Sequence, residues 1–314
     1  MLTVALVATF AAAALWQQWR SIEVETAERA RVQAVWILTG ALDWARLLLR
    51  EDHMGAGLNG PDHLGEPWAV PLQEARLSSF LAADRNNTAN TGPEVMEAFL
   101  SGQIVDMQSL LNLNNLMMPD GAIAKEALLT FERLFELLAL PPAELESLAG
   151  NLRAASAAGE GDAVSAAALA PQTIDELLWL GVSRHTLAVL RPYVTVLPSS
   201  NTKVNLNTAP AEVIYAAIPA LSMAEAQQLV AARERSHFRK LSDASDLLSG
   251  GAARIPDGGG YGVATEFFEI RARLRLDQLT VQERSLVRRA GLDVRVLRRE
   301  RVMPDLAGAT SANR

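Results

Sequence analysis

Lys203-Val204-Asn205-Leu206-Asn207-Thr208-Ala209-Pro210 passes abruptly from strand-like alternation to helix, and the reading of this stretch decides the fold. Thr208 is placed to cap a helix, because its hydroxyl can accept from an otherwise unpaired first-turn N–H. Pro210 falls in that first turn, where a missing N–H costs nothing. Apolar residues recur at Val213, Ala216, Ala217 and Ala220, with a break over residues 219–222. A second helix is expected through Ala224, Leu229, Val230 and Arg233. Phe238 and Leu241 then lead to Ser242-Asp243, the expected cap of a further short helix. The unit is a helix, a tight turn and a helix behind a strand-like lead.

The same arrangement occurs earlier in the chain. Asn112-Leu113-Asn114-Asn115-Leu116 precedes helical residues from about Ala122 through Phe131 to Leu138, a break at Leu140-Pro141-Pro142, and a helix over 143–153. Between the two copies, residues 174–180, the turn Gly181-Val182 and residues 184–193 predict a third helix pair. Each pair has an apolar face too small to stand alone, so the three are expected to pack on one another as one helical domain. Residues 154–170 read as an Ala/Gly/Ser linker.

The chain has 314 residues, 49% of them hydrophobic, and a net charge of −7. That length allows one large or two modest domains. The acidic balance speaks against a general nucleic-acid binder, which carries a basic face. With no cysteine, disulfides, thiolate zinc sites and cysteine nucleophiles are excluded. His53, His63, His185 and His237 form no i, i+4 pair, which argues against a helix-borne zinc site.

The N-terminal run to Leu15 has no charge, and Trp16, Trp19 and Arg20 follow it. It is about a turn short of the ~20 residues that span a bilayer. A cleaved signal peptide needs a basic segment ahead of the apolar one, and none precedes it here. A buried core helix is a second reading. The favoured one is a membrane helix that begins before Met1, the start having been placed too late, with Trp16 and Trp19 at the interface. Helical spacing continues through Ala30, Ala34, Ile37, Ala41, Trp44, Ala45 and Leu48, with Glu23, Glu25, Glu28, Arg29 and Arg31 on the wet side. One helix of roughly 50 residues, about 75 Å long, should project from the membrane as an amphipathic rod.

A glycine-rich loop follows, carrying Asp62-His63-Leu64-Gly65-Glu66-Pro67-Trp68-Ala69. Asp62, His63 and Glu66 can be read as a metal or acid–base cluster. The favoured reading is a loop whose polar side chains bind backbone while Trp68 anchors the core. Strands are expected over 72–81 and 102–110, the second containing Asp106, with a turn-rich connection over 84–93. Residues 250–262 are glycine-rich but lack the lysine and following helix of a phosphate loop, and are read as a flexible connection. From Phe268, Ile270, Ala272, Leu274 and Leu276 alternate with Glu269, Arg271, Arg273 and Arg275, a half-buried strand. Two more strands over 280–289 and 292–301 turn at Ala290-Gly291, and the tail 303–314 is expected to be disordered.

Taken together, these motifs resemble the minor pseudopilin K family of type II secretion over nearly the whole chain. The resemblance rests on Asp62, His63, Leu64, Glu66 and Trp68, on Asp106 with Asn112 and Asn114, and on Asn205, Asn207, Thr208 and Ala209 with Arg233 and Phe238. Ser109-Leu110-Leu111 departs from the family's Gly-Arg-Phe. No acid stands in the first apolar run, and that family is the exception among pilins in lacking one. The resemblance implies an α+β, pilin-like fold: a long N-terminal membrane helix plus an antiparallel sheet, with a large inserted all-α domain of helix-hairpin-helix-like repeats. It divides the chain into 1–19 (membrane segment), 20–110 (pilin helix and first strands), 111–255 (inserted domain), 256–302 (C-terminal strands) and 303–314.

The implied function is non-enzymatic: capping the pseudopilus tip and helping to initiate its assembly for export. The implied partners are minor pseudopilins I and J, the inner-membrane assembly platform, and a prepilin peptidase acting on the full-length precursor. The implied location is the inner membrane, single-pass, with the C-terminal part in the periplasm. No cofactor is expected. Calcium is bound in some members, but Glu160 and Asp162 alone cannot supply its six to eight oxygens. The alternative is a membrane-tethered helix-hairpin-helix DNA binder. Its usual Gly-x-Gly turn is replaced here by Pro219-Ala220-Leu221-Ser222, and no nucleic acid is expected.

Overall fold

The computed structural model describes residues 2–56, 60–77, 97–158, 169–248, 255–256, 258–277 and 279–302. The expected turn-rich stretch 84–93, residues 159–168 of the linker with Glu160 and Asp162, residues 250–254 and the tail 303–314 lie outside them.

Leu2–Ala56 is one uninterrupted helix of 55 residues, α1, about 80 Å long at 1.5 Å per residue. It contains no proline, and the hydroxyls of Ser21, Thr26 and Thr39 return to the carbonyls four residues back. Its N-terminal part is exposed on every side. Burial begins at Ala34 and recurs at Leu38, Leu42, Ala45 and Leu49. Spacings of three and four put these on one seam, which lies on the sheet.

The sheet has five strands: β1 (Leu72–Arg76), β2 (Ala98–Asp106), β3 (Phe267–Leu276), β4 (Leu279–Ala290) and β5 (Asp293–Val302). They lie in sequence order and every neighbour is antiparallel. Leu274 and Leu276 meet Ala34 and Leu38 of α1, and Phe268, Ile270 and Val287 meet Leu42, Ala45 and Leu49. Gly291 turns β4 into β5 at φ +60°, a left-handed angle that suits glycine.

Strands β2 and β3 pair from Ala98↔Leu276 to Asp106↔Phe268, yet residues 107–266 separate them. The chain therefore leaves the sheet at one point and returns beside it. The insertion lies between the end of β2 at Asp106 and the start of β3 at Phe267.

Inside the insertion, α2 (Lys125–Leu137) and α3 (Pro142–Ala158) form the first pair, and α5 (Ala211–Ala217) and α6 (Met223–Arg235) another. Between them, α4 (Arg184–Leu190) has as its partner Ile174–Leu180, which is a 3-10 helix and not the expected α-helix. The 3-10 helix stops at left-handed Gly181 (φ +87°), whose N–H bonds back to Leu178 O, three residues before it. The short helix α7 (Leu241–Ser245) follows. All these elements share one apolar core that includes Phe131, Leu134, Phe135, Leu152, Leu187 and Leu229. Arg133 of α2 joins two pairs by donating to Tyr215 O (2.8 Å), Pro219 O (3.1 Å) and Leu221 O (3.1 Å).

Two local expectations need correction. Thr208 does not cap α5, where Pro210 occupies the cap position. The expected strand-like lead and the glycine-rich segment meet, since Val204–Asn205 pairs in parallel with Tyr261–Gly262. That end of the segment is a structural pairing and not a loose connection.

Candidate functional site

The residues carrying the family resemblance converge on the seam where the insertion leaves and rejoins the sheet. Asp106 ends β2, fully buried at that corner. Its Oδ1 accepts from Gln108 N (2.7 Å), and its Oδ2 accepts from Asn205 Nδ2 (2.9 Å) and Thr208 Oγ1 (2.6 Å). This bond takes the Thr208 hydroxyl away from the helix. Burial pushes the Asp106 carboxyl above the usual carboxylate range, and the donors around it pull the other way.

Asn205 also donates to Asp62 O (3.1 Å), and its Oδ1 accepts from Asn207 N (3.0 Å). Asn207 grips the backbone of Phe238 twice, accepting from its N (2.8 Å) and donating to its O (2.9 Å). Arg233 donates to Leu206 O and Ala209 O, pinning the turn beneath the fully buried Ala209. Burial lowers the Arg233 pKa to about 10, so the group stays charged at neutral pH. The spacing from Arg233 to Phe238 thus serves one loop, with Arg233 holding its start and Asn207 joining it to Phe238.

The earlier asparagines grip the chain just before this turn. Asn112 accepts from Leu197 N (2.9 Å) and donates to Ser199 O (2.6 Å), while Asn114 donates to Leu197 O (2.7 Å). Asn115 accepts from Asn201 N (2.9 Å) and Thr202 N (3.0 Å). Amide side chains suit this work, since each offers acceptor and donor to an extended backbone at once.

The 60–71 loop locks onto the same seam. Asp62 N donates to Val263 O (2.9 Å), and Asp62 Oδ2 accepts from Thr265 N (2.7 Å). Its Oδ1 is ion-paired with Arg289 of β4, which also reaches Asp52 of α1 (3.2 Å) and Thr265 O (3.1 Å). Glu66 accepts from His63 N (2.9 Å) and Trp68 Nε1 (2.7 Å). Trp68 is 1% exposed and packs edge-on against Phe268, the anchor expected of it. The His63 ring stacks on His237 of the insertion at 3.7 Å. Burial, and after it His237, lowers the pKa of His63. Leu64, by contrast, is 58% exposed.

Asp52, Asp62 and Glu66 bring carboxylate oxygens within 4.8 Å of one another. They fit calcium poorly, because a guanidinium already neutralises two of them and the third is bonded to two N–H groups. Sequence reasoning found Asp62 and Glu66 but missed Asp52 and Arg289, which lie far apart in the chain. The one available signal was Arg289 standing on the inward phase of β4.

Burial raises the Glu66 pKa to about 7, and the nearby Asp52 and Asp62 add to the shift. The unfolded chain loses this proton near the ordinary glutamate value of 4.5. Between those two values the folded state holds more protons, so its stability falls as pH rises. Glu66→Gln keeps an acceptor for both N–H groups. Its urea midpoint is expected to decline less than the parent's between pH 4.5 and 7, the raised Asp52 and Asp106 supplying what remains, and an unchanged decline would contradict this assignment.

The turns of the helix pairs are closed to phosphate. Leu221 N donates to Ile218 O and Ser222 N to Glu225. At the other turn, Gly181 N and Val182 N donate to Leu178 O and Leu177 O, and Ser183 N to the carboxylate of Glu144. A hairpin that grips nucleic-acid backbone needs such amides free.

Comparison with known proteins supports the same reading. A family model described as type II secretion system (T2SS), protein K, matches residues 204–263, and a second with that description matches residues 109–199. The chain is thus similar to type II secretion protein K through most of residues 109–263. Type II secretion system protein K of Pseudomonas aeruginosa is 26% identical over 321 residues, covering 96% of this chain and 90% of that one. The crystal structure of the GspK-GspI-GspJ complex from the enterotoxigenic Escherichia coli type 2 secretion system shares the fold. Its TM-score is 0.65 at 18% identity, covering 88% of this chain and 98% of that chain. These likenesses support a minor pseudopilin component of type II secretion. By length and composition α1 is able to cross a membrane, with none of its apolar window buried.

Proposed function

We propose that this chain caps the tip of the type II secretion pseudopilus and helps to start its assembly. The observation that carries the proposal is the insertion of residues 107–266 between two adjacent sheet strands. Bulk at that position obstructs a further subunit from stacking above. The exposed N-terminal part of α1 holds the subunit in the inner membrane as a single pass, with the sheet and insertion in the periplasm. Withdrawn from lipid, its apolar side packs against the rods of minor pseudopilins I and J, and the area removed from water drives association. The complex in which the related GspK was crystallised supports this choice of partners. The inner-membrane platform and the peptidase that processes the precursor complete the partner set. The role is assembly, without a catalytic step.

The test mixes the full chain in detergent with pseudopilins I and J of the same organism, followed by size exclusion with light scattering. A stable ternary complex is expected, and three separate species would overturn the proposal. Replacing residues 113–261 with a short Gly-Ser turn is expected to abolish tip assembly and secretion. Normal secretion by that variant would remove the capping argument.

A further inference from the structure

The two faces of the sheet differ in charge. On the face away from α1, the strand register aligns Arg271, Arg273 and Arg275 of β3 with Arg284, Gln282 and Thr280 of β4. On the other side of β3 stand Gln103, Ser101 and Phe99 of β2. Toward Phe267 and Leu286 this face is covered by Met107 and Leu197 of the insertion. From Arg271 onward it borders a shallow cavity of about 300 Å³ whose lining includes Ser101, Gln103, Arg271, Arg273, Gln282 and Arg284.

Most of its charges are already matched. Arg271 pairs with Glu269, and Arg275 pairs with Glu74 while lying 4.0 Å from the Phe99 ring. Glu300 stands opposite Arg284 in register, but Arg298 holds its carboxylate at 2.7 Å. Among the described residues Arg273 and Arg284 have no ion-pair or hydrogen-bond partner, and both are exposed. They are diagonal neighbours across two strands, about 7–8 Å apart at Cα. Alternate residues of an extended strand lie roughly 6.8 Å apart. Each guanidinium presents a fork that matches a carboxylate.

We propose that this half-face docks an extended acidic segment of a partner polypeptide. Its carboxylates stand on alternate residues, one for Arg273 and one for Arg284. Ser101, Gln103 and Gln282 offer a hydroxyl and two amides to its backbone. The chain is acidic as a whole, at −7, so the surplus of positive charge is local and set in register. Nucleic acid is the poorer occupant, since its unbroken row of phosphates would meet Glu269 and Glu74 on the same face. The inference stands apart from placement at the tip.

The test uses the full chain in dodecyl maltoside at low salt and a fluorescein-labelled eight-residue peptide of alternating Glu and Thr. Fluorescence anisotropy is expected to show saturable binding that weakens as salt rises. Arg273→Glu with Arg284→Glu should weaken it at least roughly tenfold, and so should the milder pair Arg273→Gln with Arg284→Gln. Arg295→Glu, at an arginine already paired with Asp293, should leave binding unchanged, and a Gln-Thr peptide should not bind. If the charge-reversed pair misfolds by circular dichroism, the glutamine pair decides. Equal affinity in the parent and the folded double variants would overturn the proposal, as would tighter binding of a short single-stranded DNA.

Discussion

Arg289→Met is expected to lower the stability of the folded chain by about 3–5 kcal/mol. The guanidinium lies between Asp52 of α1 and Asp62 of the following loop, and all three side chains are under 8% exposed. Glu66 is a third carboxyl in the same cluster. With the cation gone, two carboxylates face each other out of water, and the hydrogen bond from Thr265 N to Asp62 is too little to offset their repulsion. Arg289→Lys should recover less than half of the loss. A lysine carries the charge but cannot bond at once to Asp52, Asp62, Leu49 O and Thr265 O, which the planar fork reaches together. Urea unfolding monitored by far-UV circular dichroism measures both variants. A loss under about 1 kcal/mol for Arg289→Met would mean that the cluster is hydrated, and the interpretation of the seam as a dry ion triad would fail.

Asp106→Ala should cost about 2–4 kcal/mol, since a buried donor left without its acceptor costs roughly 1–3 kcal/mol and such losses do not simply add. Gln108 N, Asn205 Nδ2 and Thr208 Oγ1 would each lose a carboxylate acceptor, with Asn205 keeping Asp62 O. The location of the damage matters more than its size. The apolar core of the insertion and the seam of α1 on the sheet do not include Asp106. Hydrogen exchange should therefore quicken at residues 204–209 and at Thr265, while the amides of α2, α3 and β4 keep their protection relative to the global limit. Uniform acceleration over the whole chain would show that Asp106 belongs to one cooperative unit instead of a joint between two.

Much of the architecture was legible from local patterns. The phase of β3 could be read because apolar and charged residues alternate strictly from Ile270 to Leu276, and the buried residues of that run are the ones that face α1. The helix pairs could be read because Pro141, Gly181 and Pro219 punctuate them. The fate of Thr208 could not, because Ser, Thr or Asp before a helix signals a cap only where no stronger acceptor competes, and Asp106 lies about a hundred positions away. Asn205 and Asn207 stood out as a motif, but their partners Asp62 and Phe238 are set by tertiary contact. Apart from the inward phase of Arg289, the Asp52–Arg289 pair left no trace in spacing, since it joins the far end of α1 to the end of β4. The 3-10 form of Ile174–Leu180 was hidden for another reason, since apolar spacing over seven residues fits either helix.

The insertion has a consequence for the order in which the molecule can form. Strand β2 hydrogen-bonds to β3 and thereby to residues made more than 160 positions later. Until β3 and β4 have emerged, Leu38, Leu42 and Leu49 lack most of their cover, with Trp68, Ala98 and Ile104 the parts already made. The insertion draws its core from its own residues alone, so it can condense first and bring Asp106 back beside Phe268. From the standpoint of the sheet it is then a closed loop, and lengthening such a loop costs only in proportion to the logarithm of its length. Variation inside the insertion should accordingly be absorbed with little penalty. A stop codon before β3 would leave the rod bare along most of the side on which the molecule is built.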